Sequence, residues 1–436
     1  MSYYKPNFLK SLFHKARRIL AKNWVRFIKP KIIAVTGSQG KTGTRTILAS
    51  LFPDAVVTDL SLDTIYNVPI TALKFRRKDQ VGIFELGIDR IGEMETHLEI
   101  VKPNISIVTG ISAVHSDPEL LGSIENIIKE KRKIIEGLSA DDFAILNFDD
   151  ENVRGMADYT KAKVFFFGSD EKRCKVFART KTGNVAKSVK DLDAVVLLSG
   201  TKFSIFDSGK EIKLETSLIG KHHIYNVLAS YLAFKVFHEM ILKDSDSVVE
   251  NESLLRFFVQ KISELKPTPG RMSFEKIGDF NILNDSLRSN PKSCEAGIET
   301  VSEIKTSGKK FLVLAEMGEL GHYSEMEHRK IGSLVAKSNV DYLISTGPLQ
   351  KFTYEESIKN GFPSKKAFYA ENVLDAFEIL KSLVQDGDLI YLKGSLLRHL
   401  ERILILLDGK PVNCKLVVCN LYKKCIECEF LNKKQK

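Results

Sequence analysis

Long hydrophobic runs are missing from this 436-residue chain. No stretch approaches the roughly 20 apolar residues that a membrane-spanning helix needs, which argues against an integral membrane protein. The N-terminus has neither the apolar core nor the small-residue cleavage site of a signal peptide. Internal repeats and low-complexity tracts are absent as well. We therefore expect a cytoplasmic protein with two or three globular domains, each able to bury its own core.

Acidic residues are absent from the start of the chain, where the first one is Asp54. Between residues 8 and 31, apolar side chains recur at helical spacing with lysines and arginines between them, which predicts a basic amphipathic helix. Such a helix can dock on the folded body or lie on an anionic membrane surface, and we favour docking. The net charge of +10 does not indicate nucleic-acid binding, because no basic-aromatic reading surface accompanies it.

Cysteines are few and unevenly placed. Cys174 and Cys294 are isolated, and we expect both to be buried thiols. The other four crowd the C-terminus: Cys414, Cys419, Cys425 and Cys428. Four cysteines this close could hold a zinc ion. The first two are separated by four residues, however, and common zinc ribbons use pairs separated by two, so the spacing favours thiols without a metal.

Apolar runs of strand length alternate with amphipathic helical stretches along the first half of the chain. Strands are predicted at 31–35, 82–86, 105–109, 144–147 and 164–168, with helices at 43–51, 94–101 and 124–136. This alternation is typical of a parallel sheet covered by helices on both faces, so the fold class is α/β. Residues 194–218 predict an antiparallel edge instead, and helices follow at 223–237 and 253–265.

A proline- and glycine-rich break, K-P-T-P-G at residues 266–270, predicts a domain junction. Beyond it, strands at 280–283, 310–315, 342–345 and 389–393 alternate with helices, which predicts a second, Rossmann-like α/β domain. We expect an N-terminal helix over 1–30, a central domain over 31–266, a C-terminal domain over 267–410 and a Cys- and Lys-rich tail over 411–436.

A phosphate-binding loop, T-G-S-Q-G-K-T at residues 36–42, lies between the first predicted strand and helix. Its glycines let backbone N–H groups approach phosphates, and the helix N-terminus adds its dipole. Lys41 would neutralise the β- and γ-phosphates, and Thr42 would offer a hydroxyl to Mg²⁺. Val35 replaces the usual first glycine of such loops, but the placement between strand and helix still indicates an ATP site. The residues expected to hold ATP are Gly37, Ser38, Gln39, Gly40, Lys41 and Thr42.

From this loop onward the chain resembles the Mur ligases, which build the peptide stem of peptidoglycan. The loop is similar to the family's T-G-x-x-G-K-T. Four further segments resemble family motifs in the same order: F-E-L-G at 84–87, the stretch 109–123 with His115, K-E-K-R-K-I at 129–134 and N-F-D-D at 147–150. G-K-H-H-I-Y-N at 220–226 is similar to the family's G-x-H-N-x-x-N. The order of these segments carries the resemblance more than any one of them.

The resemblance continues into the predicted C-terminal domain and spans about residues 31–405. The matching segments are Gly270 with Arg271, N-D-S-L-R-S-N-P at 284–291, E-M-G-E-L-G at 316–321 with His328, and K-G-S at 393–395 with Glu401. The last two, together with N-V-P-I-T at 67–71, resemble the MurF branch, whose members add D-Ala-D-Ala to a muramoyl tripeptide.

Membership in this family would imply an ATP-dependent ligase that activates a carboxylate as an acyl phosphate and joins it to an amine. Thr42 and Glu85 would then bind one Mg²⁺, while His115 and a carbamylated Lys131 would bind a second. Asn226 would lie beside adenine, and Arg271 and Asp285 would reach the nucleotide. Taken singly, each residue also fits an ordinary structural role, such as a capping carboxylate or a solvated lysine. The register of the lysine-rich helix leaves Lys129 as a competitor of Lys131.

Departures from the family pattern concern the substrates. Only about thirty residues precede the loop, where MurF proteins carry a domain for the uridine diphosphate group. Residues 61–69 lose most of the family's asparagines, and Asn284, Leu287 and Arg288 replace Asp, Tyr and Asn. Two alternatives therefore stay open. The chain could be a related ligase with another carboxylate and amine pair, or a nucleotide-binding scaffold without catalysis. We expect a monomer that takes peptide-precursor substrates.

Overall fold

The computed structural model describes residues 8–59, 64–112, 120–242, 248–419, 421 and 423–432. They divide into two compact units. The first unit lies within Met1–Asp193, Phe203–Leu214 and His222–Leu265, and the second within Ala194–Lys202, Glu215–Lys221 and Lys266–Lys436.

The first of two sheets contains ten strands among the described residues. They are β1 (Lys31–Thr36), β2 (Val56–Val57), β3 (Val81–Glu85), β4 (Ile105–Val108), β5 (Phe143–Asn147), β6 (Lys163–Gly168), β7 (Val176–Phe177), β8 (Ala194–Leu197), β9 (Gly200–Asp207) and β10 (Lys210–Thr216). Their order is β10-β9-β7-β6-β5-β4-β1-β3-β2, and β8 pairs with β9.

The centre of this sheet is parallel, which confirms the predicted fold class. The residues of β4 and β5 are buried throughout, as are those of β1 after Lys31, and most of them are apolar, as expected for central strands of a parallel sheet. The predicted change to an antiparallel edge is also confirmed, because β9 runs antiparallel to β7.

Helices α1 to α8 accompany the first sheet. They are α1 (Phe8–Ile28), α2 (Lys41–Leu51), α3 (Thr64–Ala72), α4 (Glu93–Ile100), α5 (Ile124–Glu136), α6 (Glu151–Arg154), α7 (His222–Val236) and α8 (Val248–Glu264). Helix α2 begins two residues earlier than the sequence pattern predicts, because the chain turns from Gly40 directly into the helix. Helix α5 has the predicted bounds, and the Ser123 hydroxyl caps it by accepting from the Asn126 N–H at 3.2 Å.

The basic helix α1 docks on the first unit by one face. Ala21 and Val25 are buried in its apolar core, and the Trp24 indole donates to the Phe75 carbonyl at 2.8 Å. Its other face leaves apolar side chains exposed: Leu12, Phe13, Ile19, Leu20 and Phe27. Within the described ranges, none of the helices is both long and apolar enough to cross a membrane.

The second sheet has six strands, β11 (Ser273–Ile277), β12 (Phe280–Asp285), β13 (Lys310–Ala315), β14 (Tyr342–Thr346), β15 (Ala367–Ala370) and β16 (Leu389–Lys393), in the order β11-β12-β16-β13-β14-β15. Between its described strands, every pairing is parallel except that of β11 with β12. The helices are α9 (Pro291–Glu303), α10 (Ser324–Ala336), α11 (Gln350–Lys359), α12 (Val373–Leu383) and α13 (Arg402–Leu407). Leu312 and Leu314 join one apolar cluster while Phe311 and Val313 join another, so each face of the sheet has a core.

Candidate active site

The phosphate loop turns tightly between β1 and α2. Gly37 and Gly40 have φ values of 149° and 79°, in the left-handed region that side chains disfavour. A Cβ at Gly37 would lie 2.1 Å from Thr109 Oγ1, and one at Gly40 would lie 2.9 Å from Asn226 Oδ1. Both positions therefore require glycine, because of their positive φ and because a Cβ would collide with a neighbouring side chain.

A second loop, which follows β4, holds the phosphate loop in place. The Ser38 N–H donates to the Gly110 carbonyl at 2.7 Å, and the Ser112 N–H donates to Ser38 Oγ at 3.0 Å. The Thr109 hydroxyl donates to the Gln39 carbonyl. These contacts fix the backbone of the phosphate loop from outside.

The reactive end of the loop lies beside the end of strand β3. Lys41 folds back so that its Nζ donates to the Gly37 carbonyl at 2.6 Å. The Thr42 hydroxyl donates to Glu85 Oε1 at 3.1 Å. Parallel pairing sets Val35 beside Glu85, so the carboxyl ends of β1 and β3 meet at one edge. A hydroxyl and a carboxylate oxygen are the hard ligands that Mg²⁺ prefers, and here they converge at a phosphate loop.

Lys131 lies on the buried face of α5, with 1% of its surface exposed, whereas Lys129 faces solvent. Burial, together with the charge of Lys41, holds the pKa of Lys131 well below its usual range, while the carboxylates of Asp89 and Glu85 act in the opposite direction. A neutral amine is the form that reacts with CO₂ to give a carbamate, so the geometry favours Lys131 over Lys129.

The segment after β3 is anchored by two buried side chains. His97 Nε2 lies 3.0 Å from the Gly87 carbonyl, and burial lowers the pKa of His97 to about 4, so the ring is neutral at neutral pH and donates. The buried Glu130 carboxylate accepts from the Gly92 N–H at 2.9 Å and the Met94 N–H at 3.0 Å. These bonds fix the chain between β3 and α4.

Asn226, near the start of α7, lies against the first turn of α2. A Cβ at Gly43 would be 2.3 Å from its Nδ2 atom. Its Oδ1 atom accepts a weak bond from the Thr44 hydroxyl at 3.5 Å, and Ser230 donates to the Thr44 carbonyl at 3.3 Å. The carboxamide is thus next to the phosphate loop.

In the second unit, Asp285 ends β12 and forms an ion pair with Lys393 at the end of β16. Lys393 Nζ is 2.7 Å from Asp285 Oδ2 and also donates to the Arg288 carbonyl at 3.0 Å, and only 1% of its surface is exposed. The Tyr391 hydroxyl donates to the same carboxylate oxygen at 3.1 Å. Arg271 lies at the start of this unit, where its N–H donates to the Thr268 carbonyl at 2.9 Å.

The E-M-G-E-L-G segment of the second unit is held by its own side chains. Glu316 accepts from the Leu349 N–H and from Arg398 Nε, both at 2.7 Å. His328 Nε2 accepts from the Met317 N–H at 3.1 Å, so its Nδ1 carries the proton that it donates to the Ser324 carbonyl. Burial lowers the pKa of His328, which keeps this tautomer neutral.

Comparison with known proteins identifies both units. The Mur ligase middle domain matches residues 35–234, and the family described as Mur ligase, glutamate ligase domain matches residues 270–396. The chain belongs to the Mur ligase family. Mur ligases bind ATP and are ADP-forming, so the expectation of an ATP-dependent ligase is confirmed.

Several relatives of this Mur ligase are D-alanyl-D-alanine ligases of the MurF type. The UDP-N-acetylmuramoyl-tripeptide–D-alanyl-D-alanine ligase of Bacillus subtilis is 26% identical over 398 residues, which are 90% of this chain and 79% of the relative. MurF from Acinetobacter baumannii superposes with a TM-score of 0.76 at 21% identity, covering 91% of this chain and 81% of that one. MurF ligase from Thermotoga maritima, solved in complex with ADP, superposes with a TM-score of 0.73 at 20% identity. The match covers 91% of this chain and 84% of that one.

The structure brings most of the sequence-predicted site residues of this Mur ligase together in the first unit. The loop residues 37–42 form the turn, with Glu85 and Asn226 in contact with it and the charge of Lys41 acting on Lys131. His115 lies outside the described residues. Arg271 and Asp285 belong to the second unit. Their individual roles in binding and catalysis stay predictions.

Sequence reasoning did not select several residues that shape the site. Thr109 is the hydroxyl packed against Gly37. Asn147 donates to the Thr109 carbonyl at 2.9 Å, and Asp150 accepts from the Ile111 N–H at 2.7 Å. The N-F-D-D motif that contains these two side chains was a visible signal. His97 had no such signal, because only the fold brings it to Gly87.

Proposed function

We propose that this Mur ligase joins D-alanyl-D-alanine to the tripeptide of a UDP-linked muramoyl precursor, with conversion of ATP to ADP and phosphate. The names of its relatives support the substrates. The observation that carries the catalytic part of the proposal is the contact of Thr42 with Glu85 beside the lysine of a phosphate loop.

An activated carboxylate is the central requirement of this reaction. A free carboxylate does not react with an amine at neutral pH, because an oxide would have to leave. Transfer of the γ-phosphoryl group makes an acyl phosphate, and the amine then attacks the carbonyl carbon and expels phosphate. Phosphoryl transfer needs positioning and charge neutralisation more than covalent help from the protein. Lys41 and the N–H groups of the loop would supply both.

Mg²⁺ fits the oxygen donors that the first unit presents. Thr42 and Glu85 would hold one ion, and a carbamate on Lys131, with His115, would hold a second. When bound, Mg²⁺ neutralises phosphate charge. The lowered pKa of Lys131 supports this role, because carbamylation turns a buried amine into an anionic oxygen ligand.

Three further residues are proposed to bind the nucleotide. The position of Asn226 against the first turn of α2 supports a contact with the adenine side of ATP. Asp285, held by Lys393 and Tyr391, would present its second carboxylate oxygen to the nucleotide, and Arg271 would pair with phosphate. These roles follow the family motifs in which the residues occur.

The decisive experiment incubates the purified full chain with ATP, Mg²⁺, UDP-muramoyl-tripeptide and D-Ala-D-Ala. Phosphate release and product mass are followed with each component omitted in turn. We expect phosphate to appear only when both the carboxylate and the amine substrate are present, with a product of the ligated mass. A Lys41→Ala variant should be inactive. Turnover with a different pair, but none with this one, would make the protein a related ligase of other specificity.

We also propose that α1 rests on an anionic membrane surface. Phe13, Leu20 and Phe27 are seven residues apart, so they share one helix face, and each is about 60% exposed. Lys15 and Arg26 on the same helix are exposed as well. A helix that exposes both apolar groups and cations matches the interface of an anionic bilayer.

A further inference from the structure

The C-terminal tail closes a cavity of about 310 Å³ in the second unit. Its wall carries an unusual number of metal-ligand side chains. The lining includes His399 and all four terminal cysteines: Cys414, Cys419, Cys425 and Cys428. Among the six cysteines, all of which the structure describes, none forms a disulfide.

Three side chains of this region present ligand atoms to one point. His399, Glu401 and Cys425 each offer one such atom, and these atoms lie within 4.8 Å of one another. They belong to different parts of the sequence, since His399 and Glu401 precede the tail and Cys425 lies within it. The spacing of the cysteines could not reveal this group.

Two polar atoms of the cluster are buried without a partner among the described residues. His399 is 1% exposed, and its Nδ1 atom lies 3.1 Å from Glu401 Oε1. His399 Nε2 and Glu401 Oε2 have no hydrogen-bond partner. Burying such atoms unpaired costs about 1–3 kcal/mol each. A bound cation would satisfy both.

The guanidinium of Arg402 faces two of the cysteine sulfurs. Its Nε atom lies 3.3 Å from Cys425 Sγ, and its Nη2 atom lies 3.3 Å from Cys414 Sγ. Arg402 is 1% exposed and remains charged in proteins. This edge of a guanidinium ordinarily donates to the two oxygens of a carboxylate. Here two sulfurs take the place of those oxygens.

We propose that this cavity binds one Zn²⁺ ion through His399, Glu401, Cys425 and Cys414. Nitrogen, sulfur and carboxylate donors in a set of four are characteristic of zinc. The charges balance, because two thiolates and one carboxylate neutralise the divalent ion and the Arg402 guanidinium. Arg402 would donate to both metal-bound sulfurs and orient them.

The ion would hold the tail on the second unit. Between Lys410 and Asn432, the described residues form only one short 3₁₀ turn, Cys425–Glu427. The apolar cluster beneath them is small and consists of Ile405, Val412, Cys425 and Leu431 with three partly buried neighbours. A segment with so little core is commonly stabilised by a metal.

The test measures zinc in the full-length protein after purification without chelators. Mass spectrometry of the metal content should give about one zinc per chain. His399→Gln, Glu401→Gln, Cys414→Ser and Cys425→Ser should each lose most of it, while Cys174→Ser and Cys419→Ser should retain it. Cobalt substituted into the wild-type protein should show the thiolate charge-transfer absorption of a tetrahedral site.

Two results would overturn the proposal. One is a wild-type chain that contains no zinc, takes up none from solution and shows no thiolate–cobalt band; this result does not depend on any variant folding. The other is loss of zinc in Cys419→Ser and Cys428→Ser with full retention in His399→Gln and Glu401→Gln, which would assign the metal to the four cysteines instead.

Discussion

The residues at the phosphate loop divide into those proposed to bind phosphate or Mg²⁺ and those that hold the loop. Lys41, Thr42 and Glu85 meet within a few ångströms, and the family motifs identified all three. Thr109 donates its hydroxyl to the Gln39 carbonyl of the loop, and Asp150 accepts from the Ile111 N–H of the neighbouring segment. Variants of the first group should therefore impair binding and catalysis, whereas variants of the second group should impair the conformation of the loop.

Glu85→Gln should lower kcat about 100-fold and raise the Mg²⁺ concentration needed for half-maximal rate. The neutral amide is a weaker ligand than a carboxylate, and loss of charge beside the phosphates affects metal affinity by about 10- to 100-fold in comparable sites. Steady-state kinetics over a range of Mg²⁺ concentrations would measure both effects. Glu99→Gln, a surface carboxylate paired with Lys22, is the matched control and should behave as wild type.

Lys131→Ala should abolish most activity, while Lys129→Ala should leave it within about twofold, because only Lys131 is buried with a lowered pKa. The carbamate itself is observable: protein equilibrated with ¹³C-bicarbonate should give a carbamate signal by NMR. Lys131→Ala should lose that signal. A signal that survives in Lys131→Ala and disappears in Lys129→Ala would reverse the assignment.

His97 should make the protein less stable in mild acid. Its pKa is about 4 in the folded state, against about 6.5 when unfolded, so the unfolded chain binds more protons between these values. The contribution of neutral His97 to the free energy of unfolding is complete above about pH 6.5 and is lost as the pH falls toward 4. At about pH 5 this loss is about 2 kcal/mol. Urea unfolding at neutral and acidic pH should show a steeper loss in the wild type than in His97→Gln. Equal slopes would contradict the prediction.

At the scale of elements, the carboxyl ends of β1, β3 and β4 gather the site of the first unit. Parallel pairing brings Val35 level with both Glu85 and Ile107, so the loops that follow all leave from the same edge. The strands and α5 were predictable from their apolar patterns. Helix α3 was not predicted, and it contains Pro69 in its interior. A proline there argues against a helix on local grounds, so tertiary packing overrides the propensity.

Helix α1 should bind vesicles that contain anionic phosphatidylglycerol and not vesicles of neutral phosphatidylcholine alone. Cosedimentation of the full chain measures this binding. Replacement of Phe13, Leu20 and Phe27 by serine should reduce the bound fraction at least about fivefold, since each apolar side chain contributes roughly 1–2 kcal/mol when it enters the interface. Added salt should weaken the binding.

A second triple variant controls for the loss of exposed apolar surface. Val195, Phe274 and Met326 are also exposed apolar residues, with 39–58% of their surface accessible, and lie outside α1. Their replacement by serine should leave vesicle binding unchanged. Equal loss in both variants, or equal binding to both lipids, would refute a role for α1.

At the scale of the whole molecule, the chain forms two α/β units, each with its own sheet and core. The phosphate loop belongs to the first unit, while Arg271, Asp285 and the terminal cysteines belong to the second. The addition of D-Ala-D-Ala is proposed as an activity of the entire chain, because the family motifs lie in both units.

ATP with Mg²⁺ should raise the thermal unfolding temperature of the full chain. A ligand at about 100 times its Kd stabilises the binding-competent fold by about 2.7 kcal/mol. Scanning fluorimetry over a range of ATP concentrations would record the shift. Lys41→Ala should remove it, and Lys129→Ala should retain it. An undiminished shift in Lys41→Ala would show that the nucleotide binds elsewhere.

The sequence by itself determined the α/β class, the phosphate loop, its Mur ligase relationship and the order of the strands along the chain, because apolar periodicity and short motifs are local properties. Only the tertiary structure decided that Lys131 rather than Lys129 is buried, that His97 reaches Gly87, and that His399 and Glu401 meet Cys425. These contacts join residues far apart in sequence or depend on which helix face packs inward. Burial, and the charge balance that burial demands, exist only once the chain has folded.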